Sequence, residues 1–208
     1  MGAKNRATAA TTRDIPEGPL EDFLQNWRTF AIKEIGGATN ELILRAVCSP
    51  LEELPPKRLQ ELAHAMAEVM LRADGVGLAA PQVGVSLRFF TVAVAACMAH
   101  SSEAILDGQN LYGSAIAPPF ALFFINPELL QISKDMQIDW EGCLSIPGRN
   151  EQVARPMRAK FAFLGTDGAR HTLQANGLLA RCCLHENDHL DGRLFIDLLP
   201  TEDSKLSR

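Results

Sequence analysis

The chain has 208 residues, of which 47% are hydrophobic and 22% charged, and its formal net charge is −5. These values are typical of a soluble globular domain and argue against wholesale disorder or a nucleic-acid surface spread over the sequence. No apolar run approaches the ~18 residues that a membrane-spanning helix needs. The five cysteines show no repeated spacing, which argues against a secreted disulfide scaffold. The sequence therefore predicts an intracellular protein whose thiols are available as ligands.

The first part of the chain, 1–36, differs in character from the remainder. Its first 13 residues carry three basic and no acidic side chains. That composition is typical of an organelle transit peptide and equally of a solvated terminus. An amphipathic pattern over 19–35 predicts a short helix docked on the main body. We therefore expect a partly disordered N-terminal extension over 1–36 and a main domain over 37–208.

A strong helix signal runs over 56–73, where apolar residues recur at spacings of three and four and form one stripe. The stripe consists of Leu59, Leu62, Met66, Val69 and Met70. Pro56 suits the first turn, because a proline there sacrifices no intrahelical hydrogen-bond donor.

Short apolar runs bounded by turn signals predict strands along most of the remaining chain. The predicted strands are 87–95, 121–125, 129–133, 136–140, 151–155, 158–164 and 170–174. Asp167 and Gly168 form the predicted hairpin turn before the last of them. The stretch 96–119 is rich in Ala, Ser and Gly and is long for a loop in a compact domain, so we expect a mobile insertion there.

The last predicted helix spans 177–190, with Asn176 as N-cap and Gly192 as its stop. It contains an HExxH pattern over 185–189. Two histidines four residues apart on a helix present both imidazoles on one face, where a single cation can bridge them. The intervening Glu186 can then reach a water bound to that cation.

The alternative is a solvated helix with a polar outer face. It is disfavoured because Leu178, Cys182, His185 and His189 follow one another at spacings of four, three and four. The histidines therefore continue an apolar line that faces inward.

Two nitrogen ligands do not complete a metal site. Phe195 stands six residues after the second histidine, where the metzincin pattern places a third histidine. A cysteine thiolate is the natural substitute. Cys182 and Cys183 lie on the same helix as the histidines, where they would crowd the metal. Cys143 differs, because it follows a glycine at a predicted strand end, where the backbone can approach a ligand closely.

Three segments resemble the signature motifs of the peptide deformylase family, in the family's order and with compatible separations. They are GVGLAAPQ at 75–82, EGCLS at 141–145 and HENDH at 185–189. The resemblance covers about residues 40–200. It implies an α+β fold in which antiparallel strands surround a central HExxH helix.

The resemblance also implies the site residues. Cys143, His185 and His189 match three ligands of one divalent metal, with water or hydroxide in the fourth position. The native ion in this family is typically Fe²⁺, and Zn²⁺, Ni²⁺ or Co²⁺ can also occupy the site. Glu186 matches the catalytic carboxylate that serves as general base and acid.

Other implied positions hold the substrate. Gln82 and the backbone N–H of Leu144 match the donors to the developing oxyanion. The implied substrate-binding residues are Val76, Gly77, Leu178 and Cys182. The first two lie in a segment that pairs with the peptide backbone, and the last two line the methionine pocket.

The implied activity is metal-dependent hydrolysis of the N-terminal formyl group of N-formylmethionyl nascent peptides, with release of formate, through attack of metal-bound hydroxide. We expect these peptides as partners, in proximity to the ribosome, with no direct contact with nucleic acid or membrane; the sequence leaves the oligomeric state open. Formylmethionine occurs in the bacterial cytoplasm and inside mitochondria or plastids, and the basic first residues point toward an organelle.

Two departures from the family pattern stand out. Leu184 precedes the first histidine, where the family usually has Gln, and Arg149 only approximates a substrate-facing arginine. Two alternatives stay open. A general HExxH metallopeptidase would use a Glu or His as third ligand and would not need Cys143. A family member that has lost turnover would act as a binding protein.

Overall fold

A computed structural model of the protein describes residues 18–100, 103–111 and 120–200. The helices are α1 (Pro19–Asn26), α2 (Ala38–Leu44), α3 (Pro56–Arg72), α4 (Val94–Met98) and α5 (Gly177–Leu190). The strands are β1 (Gly77–Ala79), β2 (Phe89–Val92), β3 (Ala104–Leu106), β4 (Gln109–Asn110), β5 (Leu122–Ile132), β6 (Met136–Cys143), β7 (Ile146–Pro156), β8 (Arg158–Leu164) and β9 (Arg170–Asn176). Within these ranges, no helix combines the length and apolar character required to cross a membrane.

The strands form two antiparallel sheets, which confirms the predicted α+β fold class. The larger sheet has the order β1-β2-β5-β8-β9-β3-β4, so β1 is one of its edges. The smaller sheet consists of β6 and β7. Helix α5 contacts strands of both sheets, as a central helix must.

The larger sheet divides the core into two parts. Neighbouring residues of a strand point to opposite faces. Phe90 accordingly packs with Phe124 and α5 on one face, where the two rings stack at 4.5 Å. Phe89 packs with Phe123 and α3 on the other face. The apolar stripe predicted for α3 is buried against this second part.

Helix α5 has the predicted bounds and is buried over almost its whole length. Gly192 ends it in the left-handed conformation (φ +69°), and a Cβ there would collide with the backbone of Arg45. Asn176 occupies the N-cap position but makes no side-chain cap. Its Oδ1 instead accepts the backbone N–H of Glu103 at 3.0 Å, so the predicted capping role is wrong.

Helix α1 is shorter than predicted. It ends at Asn26 and is followed by one 3₁₀ turn, Trp27–Thr29. The residues that follow are not helical, because their backbone groups form hydrogen bonds with distant segments of the chain. Lys33 and Ile35 donate their backbone N–H groups to the carbonyls of Gln82 and Ser145, at 2.8 and 2.9 Å. The end of the 1–36 segment is therefore joined to the segments that carry the candidate site.

Two strand predictions also need correction. The predicted strand 87–95 ends at Val92, and Val94–Met98 is helical. The predicted strands 121–125 and 129–133 are one strand, β5, which a register shift bends between Ile125 and Glu128 instead of ending it. Of the predicted insertion 96–119, residues 101–102 and 112–119 lie outside the described ranges. The rest includes a hairpin of β3 and β4 that joins the sheet at β9.

Candidate metal centre

The site lies in a cleft of about 320 Å³ between the β1 edge and the end of β6, with α5 along its side. Most of the residues singled out from the sequence line this cleft. They are Val76, Gly77, Gln82, Cys143, Leu144, Leu178, Cys182, His185 and Glu186. His189 lies behind them and is 1% exposed. Segments far apart in the chain are thus brought to one cavity.

Three side chains at the cleft form a group suited to a metal ion. The ligand atoms of Cys143, His185 and His189 all lie within 4.8 Å of one another. The Cys143 Sγ is 3.2 Å from the His189 Nε2. Among the described residues, this is the group of three or more His, Cys, Asp or Glu side chains that could hold an ion. One sulfur and two nitrogens form a donor set that leaves a coordination position open, as in catalytic sites.

Without a cation the two histidines differ in protonation: His189 is in the neutral form that binds a metal, and a cation would have to displace a proton from His185. Burial lowers the pKa of His189 well below its ordinary value, so the imidazole is neutral, as a metal ligand must be. Burial opposes the charged form of His185 as well, but hydrogen bonds with Cys143 and Glu141 outweigh it and raise the pKa of His185 to about 10. The groups around His185 therefore favour a positive charge at the position where the proposed cation would lie.

Glu141 holds His185 in position. Its Oε2 lies 3.0 Å from the His185 Nδ1, which leaves the other ring nitrogen for a metal. Arg155 donates to both carboxylate oxygens of Glu141, at 2.8 and 2.9 Å, and Arg181 donates to Oε1. Although burial raises the pKa of Glu141, the bonds from His185 and Arg155 lower it to about 2. The carboxylate is therefore ionised and fixed.

Asp188 extends this buried network, because Arg155 also donates to it. The sequence analysis missed the roles of Glu141, Arg155 and Arg181. Glu141 lies two residues before Cys143 in a matched motif, which was a usable signal. The sequence contained no such signal for the two arginines, because each contacts Glu141 only once the chain has folded.

Glu186 lies against Gly77 at the cleft. A Cβ on residue 77 would collide with the Glu186 carboxylate, so the close approach requires glycine. Glu186 is 5% exposed, and its Oε2 has no hydrogen-bond partner among the residues that the structure describes. Burial raises the pKa of Glu186 to about 7, against the opposing charges of His185 and Arg155. A carboxyl group with such a pKa can both accept and donate a proton at neutral pH.

Gln82 presents its amide NH₂ group to the site. Its Oε1 accepts the backbone N–H of Ala79 at 2.8 Å, which fixes the side-chain orientation. The Nε2 then lies 3.6 Å from the Cys143 Sγ and 3.3 Å from the Ser145 Oγ. A donor fixed in this way beside the metal ligands can stabilise negative charge that develops on a substrate oxygen.

The family model described as polypeptide deformylase matches residues 32–205. The chain belongs to the polypeptide deformylase family. Peptide deformylase 2 of Gloeobacter violaceus is 44% identical over 139 residues, which are 67% of this chain and 65% of that protein. The peptide deformylase of Salinibacter ruber is 41% identical over 165 residues, 79% of this chain and 80% of that protein.

Solved peptide deformylase structures have the same fold. One from Acinetobacter baumannii with Met-Ala-Ser bound has a TM-score of 0.66 and 34% identity, and the match covers 82% of this chain and 98% of that chain. One from Synechococcus elongatus in complex with actinonin has a TM-score of 0.66 and 30% identity, with 85% and 83% covered.

The two departures from the deformylase pattern lie outside the cleft lining. Leu184, on α5, is 7% exposed and packs in the core between this helix and the larger sheet. The Arg149 Nε donates to Glu151 on the same strand, at 3.1 Å, and Arg149 is not among the residues that line the cleft. The approximate match of Arg149 to a substrate-facing arginine therefore finds no support in the geometry.

Proposed function

We propose that Cys143, His185 and His189 bind one divalent cation and that Glu186 transfers protons beside it. As a deformylase family member, the protein hydrolyses the N-terminal formyl group of N-formylmethionyl peptides and releases formate. The observation that carries the residue assignment is the convergence of three ligand atoms within 4.8 Å, next to a buried carboxyl group.

The cation would act as a Lewis acid that lowers the pKa of water at the site, so that hydroxide is available to attack an amide near neutral pH. Fe²⁺ is the proposed native ion, and Zn²⁺, Ni²⁺ or Co²⁺ would fit the same set of one thiolate and two imidazoles. Glu141 keeps the His185 ring oriented for this binding. A general metallopeptidase with a carboxylate or a third histidine as ligand is not favoured, because Cys143 completes the group.

Glu186 would accept a proton from the attacking water and deliver one to the leaving amine. Its pKa of about 7 suits both steps, since the two protonation states are then both populated at neutral pH. The Gln82 amide and the backbone N–H of Leu144 would donate to the developing oxyanion. One such donor is commonly worth about 3 kcal/mol in the transition state.

The peptide would lie as an added strand along Val76 and Gly77, because β1 is an edge of the larger sheet. Its methionine side chain would pack against Leu178 and Cys182, which line the cleft. The Acinetobacter structure with Met-Ala-Ser bound supports a peptide of this kind in the cleft. We further propose that the protein acts near the ribosome, in a bacterial cytoplasm, a mitochondrion or a plastid, where formylated chains are made.

Formate release from formyl-Met-Ala-Ser by protein loaded anaerobically with Fe²⁺ tests the proposal. We expect Glu186→Ala to lower kcat/KM by about 100- to 10,000-fold, the usual contribution of a general acid and base. Glu128→Ala is the matched control, because this carboxylate is exposed on β5 and pairs with Arg170. Equal rates for the protein and Glu186→Ala would refute the assigned role, and absence of formate from the unsubstituted protein would favour a binding protein.

A further inference from the structure

Strand β6 has an apolar face that points to solvent. Met136, Ile138 and Trp140 alternate along it and are 53%, 69% and 63% exposed. The opposite face carries Glu141, which is buried in the ion network, and Gln137, whose amide donates to the carbonyl of Gly177. A strand with one solvated face normally turns its polar side chains outward. In β6 this arrangement is reversed for the three apolar side chains, which are exposed, although Asp139 on the opposite face is exposed as well.

Strand β7 extends this face. Residues directly opposite each other in an antiparallel pair share a face. Ala154 pairs with Ile138, and Gln152 pairs with Trp140, and both are exposed. We call Met136, Ile138 and Trp140 the apolar strip. Contiguous exposed apolar surface of this kind usually marks a binding site.

The strip is continuous with the cleft. Strand β6 ends at Cys143, one of the proposed metal ligands, and Trp140 lines the cleft as well as belonging to the strip. On the other side of the cleft, Val76 is 42% exposed. The cleft therefore opens between Val76 and Trp140. A peptide whose formyl end lies at the proposed metal ligands and that leaves the cleft on the β6 side would pass Trp140, and the next side chains on that face of β6 are Ile138 and Met136.

The spacing of the strip matches an extended peptide. Residues on one face of a strand are about 6.7 Å apart, so the distance from Trp140 to Met136 spans about four residues of extended chain. An extended substrate also presents every second side chain to one side. Apolar side chains that follow the cleft-bound residues can therefore meet the strip at the same period.

We propose that the apolar strip binds apolar side chains at about the fourth to seventh positions of the formylated peptide. The occupant is the substrate itself, and the enzyme thereby prefers nascent chains that begin with an apolar segment. This inference rests on the proposed function, since it requires the formyl end to lie at the metal ligands. Binding outside the reacting atoms is the same before and during reaction, so the preference belongs in KM with kcat unchanged.

Three peptides test the inference: formyl-Met-Ala-Ser, the same peptide extended by Leu-Leu-Leu-Leu-Lys-Lys, and the same peptide extended by Ser-Ser-Ser-Ser-Lys-Lys. We expect kcat/KM to be about tenfold higher for the Leu peptide than for the Ser peptide, through KM. Equal kcat/KM values for the two long peptides would overturn the inference. Cleavage of the short peptide reports separately on the proposed function, so failures of the two are distinguishable.

The double variant Met136→Ser, Ile138→Ser assigns the preference to the strip. We expect it to cleave the Leu and Ser peptides equally and to keep the activity of the unsubstituted protein on the short peptide. Leu42→Ser is the matched control, because Leu42 is 75% exposed on α2, outside the strip, and should retain the preference. A double variant that keeps the tenfold preference would overturn the inference.

A second copy of the chain is the competing occupant. Sedimentation of the protein and of the double variant, over a range of concentrations, distinguishes it. Self-association that the double variant abolishes, together with equal cleavage of the two long peptides, would assign the strip to a dimer interface and overturn the inference. A monomer that prefers the Leu peptide supports it.

Discussion

The carboxylate of Glu186 can lie beside the proposed metal ligands because residue 77 has no side chain. A Cβ there would collide with the Glu186 carboxylate and would lie 2.9 Å from its Cγ, so this buried side chain would have to shift. We therefore expect Gly77→Ala to displace the carboxylate and to lower the melting temperature while the protein still folds. Formate release should fall by about 100-fold, at the lower end of a general base's contribution.

Gly37→Ala is the control for this substitution, since no atom of the described part of the chain lies within 4 Å of a Cβ at Gly37 and its φ of −115° suits any residue. It should keep full activity. A Gly77→Ala protein as active as Gly37→Ala would show that the contact between Gly77 and Glu186 has no catalytic importance.

Glu141 acts through His185, and its removal should weaken metal binding. A carboxylate that orients a metal-bound histidine typically contributes about 10- to 100-fold in affinity. We expect Glu141→Gln to lower the affinity for Zn²⁺ by that factor in competition with a chelator. Glu151→Gln, at a half-buried position on β7 where the carboxylate pairs with Arg149, should bind as the unsubstituted protein does. Equal affinities in the two variants would contradict the role given to Glu141.

At the scale of residues, the proposed metal ligands could be predicted from the sequence, but the residues that hold them in position could not. The histidine spacing follows from helix geometry, and Cys143 stands out because it follows a glycine in a matched motif. The bonds of Glu141 to Arg155, Arg181 and His185 cross 14, 40 and 44 residues of chain. Nothing local specifies such contacts, so they become visible only in the folded protein.

At the scale of elements, the turn of the β3–β4 hairpin is joined to β9 by a histidine that lies between two carboxylates. The His171 Nδ1 lies 2.6 Å from Asp107 in the hairpin turn, and its Nε2 lies 3.0 Å from Asp167. The hydrogen bond with Asp107, followed by that with Asp167, raises the pKa of His171 above its ordinary value of 6.5. Protonated His171 therefore stabilises the folded state.

A raised pKa fixes the direction of the pH dependence. The stabilisation is complete below about pH 6.5 and is lost as the pH rises through the higher pKa of the folded state. We expect His171→Gln to lower stability at about pH 5.5 by no more than about 1 kcal/mol, because solvent screens the exposed carboxylates, and less at about pH 9. Thermal unfolding at both pH values checks this.

The exposed His100 provides the control for His171, and His100→Gln should show no such trend. A loss of stability in His171→Gln that is the same at both pH values, or larger at the higher one, would contradict the ion-pair account of the hairpin.

Elements with a regular apolar period were predictable, and those shaped by distant contacts were not. Helices α3 and α5 follow their period closely. Strand β5 was predicted as two strands, 121–125 and 129–133. In the structure, Asn126 adopts a left-handed conformation (φ +47°) and its side chain pairs with both backbone groups of Leu51. That contact, 75 residues away, lets the strand bend and continue.

At the scale of the whole molecule, the site exists only where the two sheets and the central helix meet. The β6 end supplies Cys143, α5 supplies both histidines and Glu186, and the turn after β1 supplies Gln82. The α+β class and the central helix followed from the resemblance to deformylases. The strand order and the reversed face of β6 did not, because β6 alternates apolar and polar residues in the same way whichever face is buried.

The account depends on a single cation shared by a thiolate and two imidazoles. X-ray absorption of the protein loaded with Zn²⁺ tests this most directly. It should show one sulfur at about 2.3 Å and two nitrogens at about 2.0–2.1 Å, at one ion per chain. Cys143→Ala should lose the sulfur and most of the bound ion. A zinc shell without sulfur in the unsubstituted protein, or full zinc occupancy in Cys143→Ala, would contradict the account.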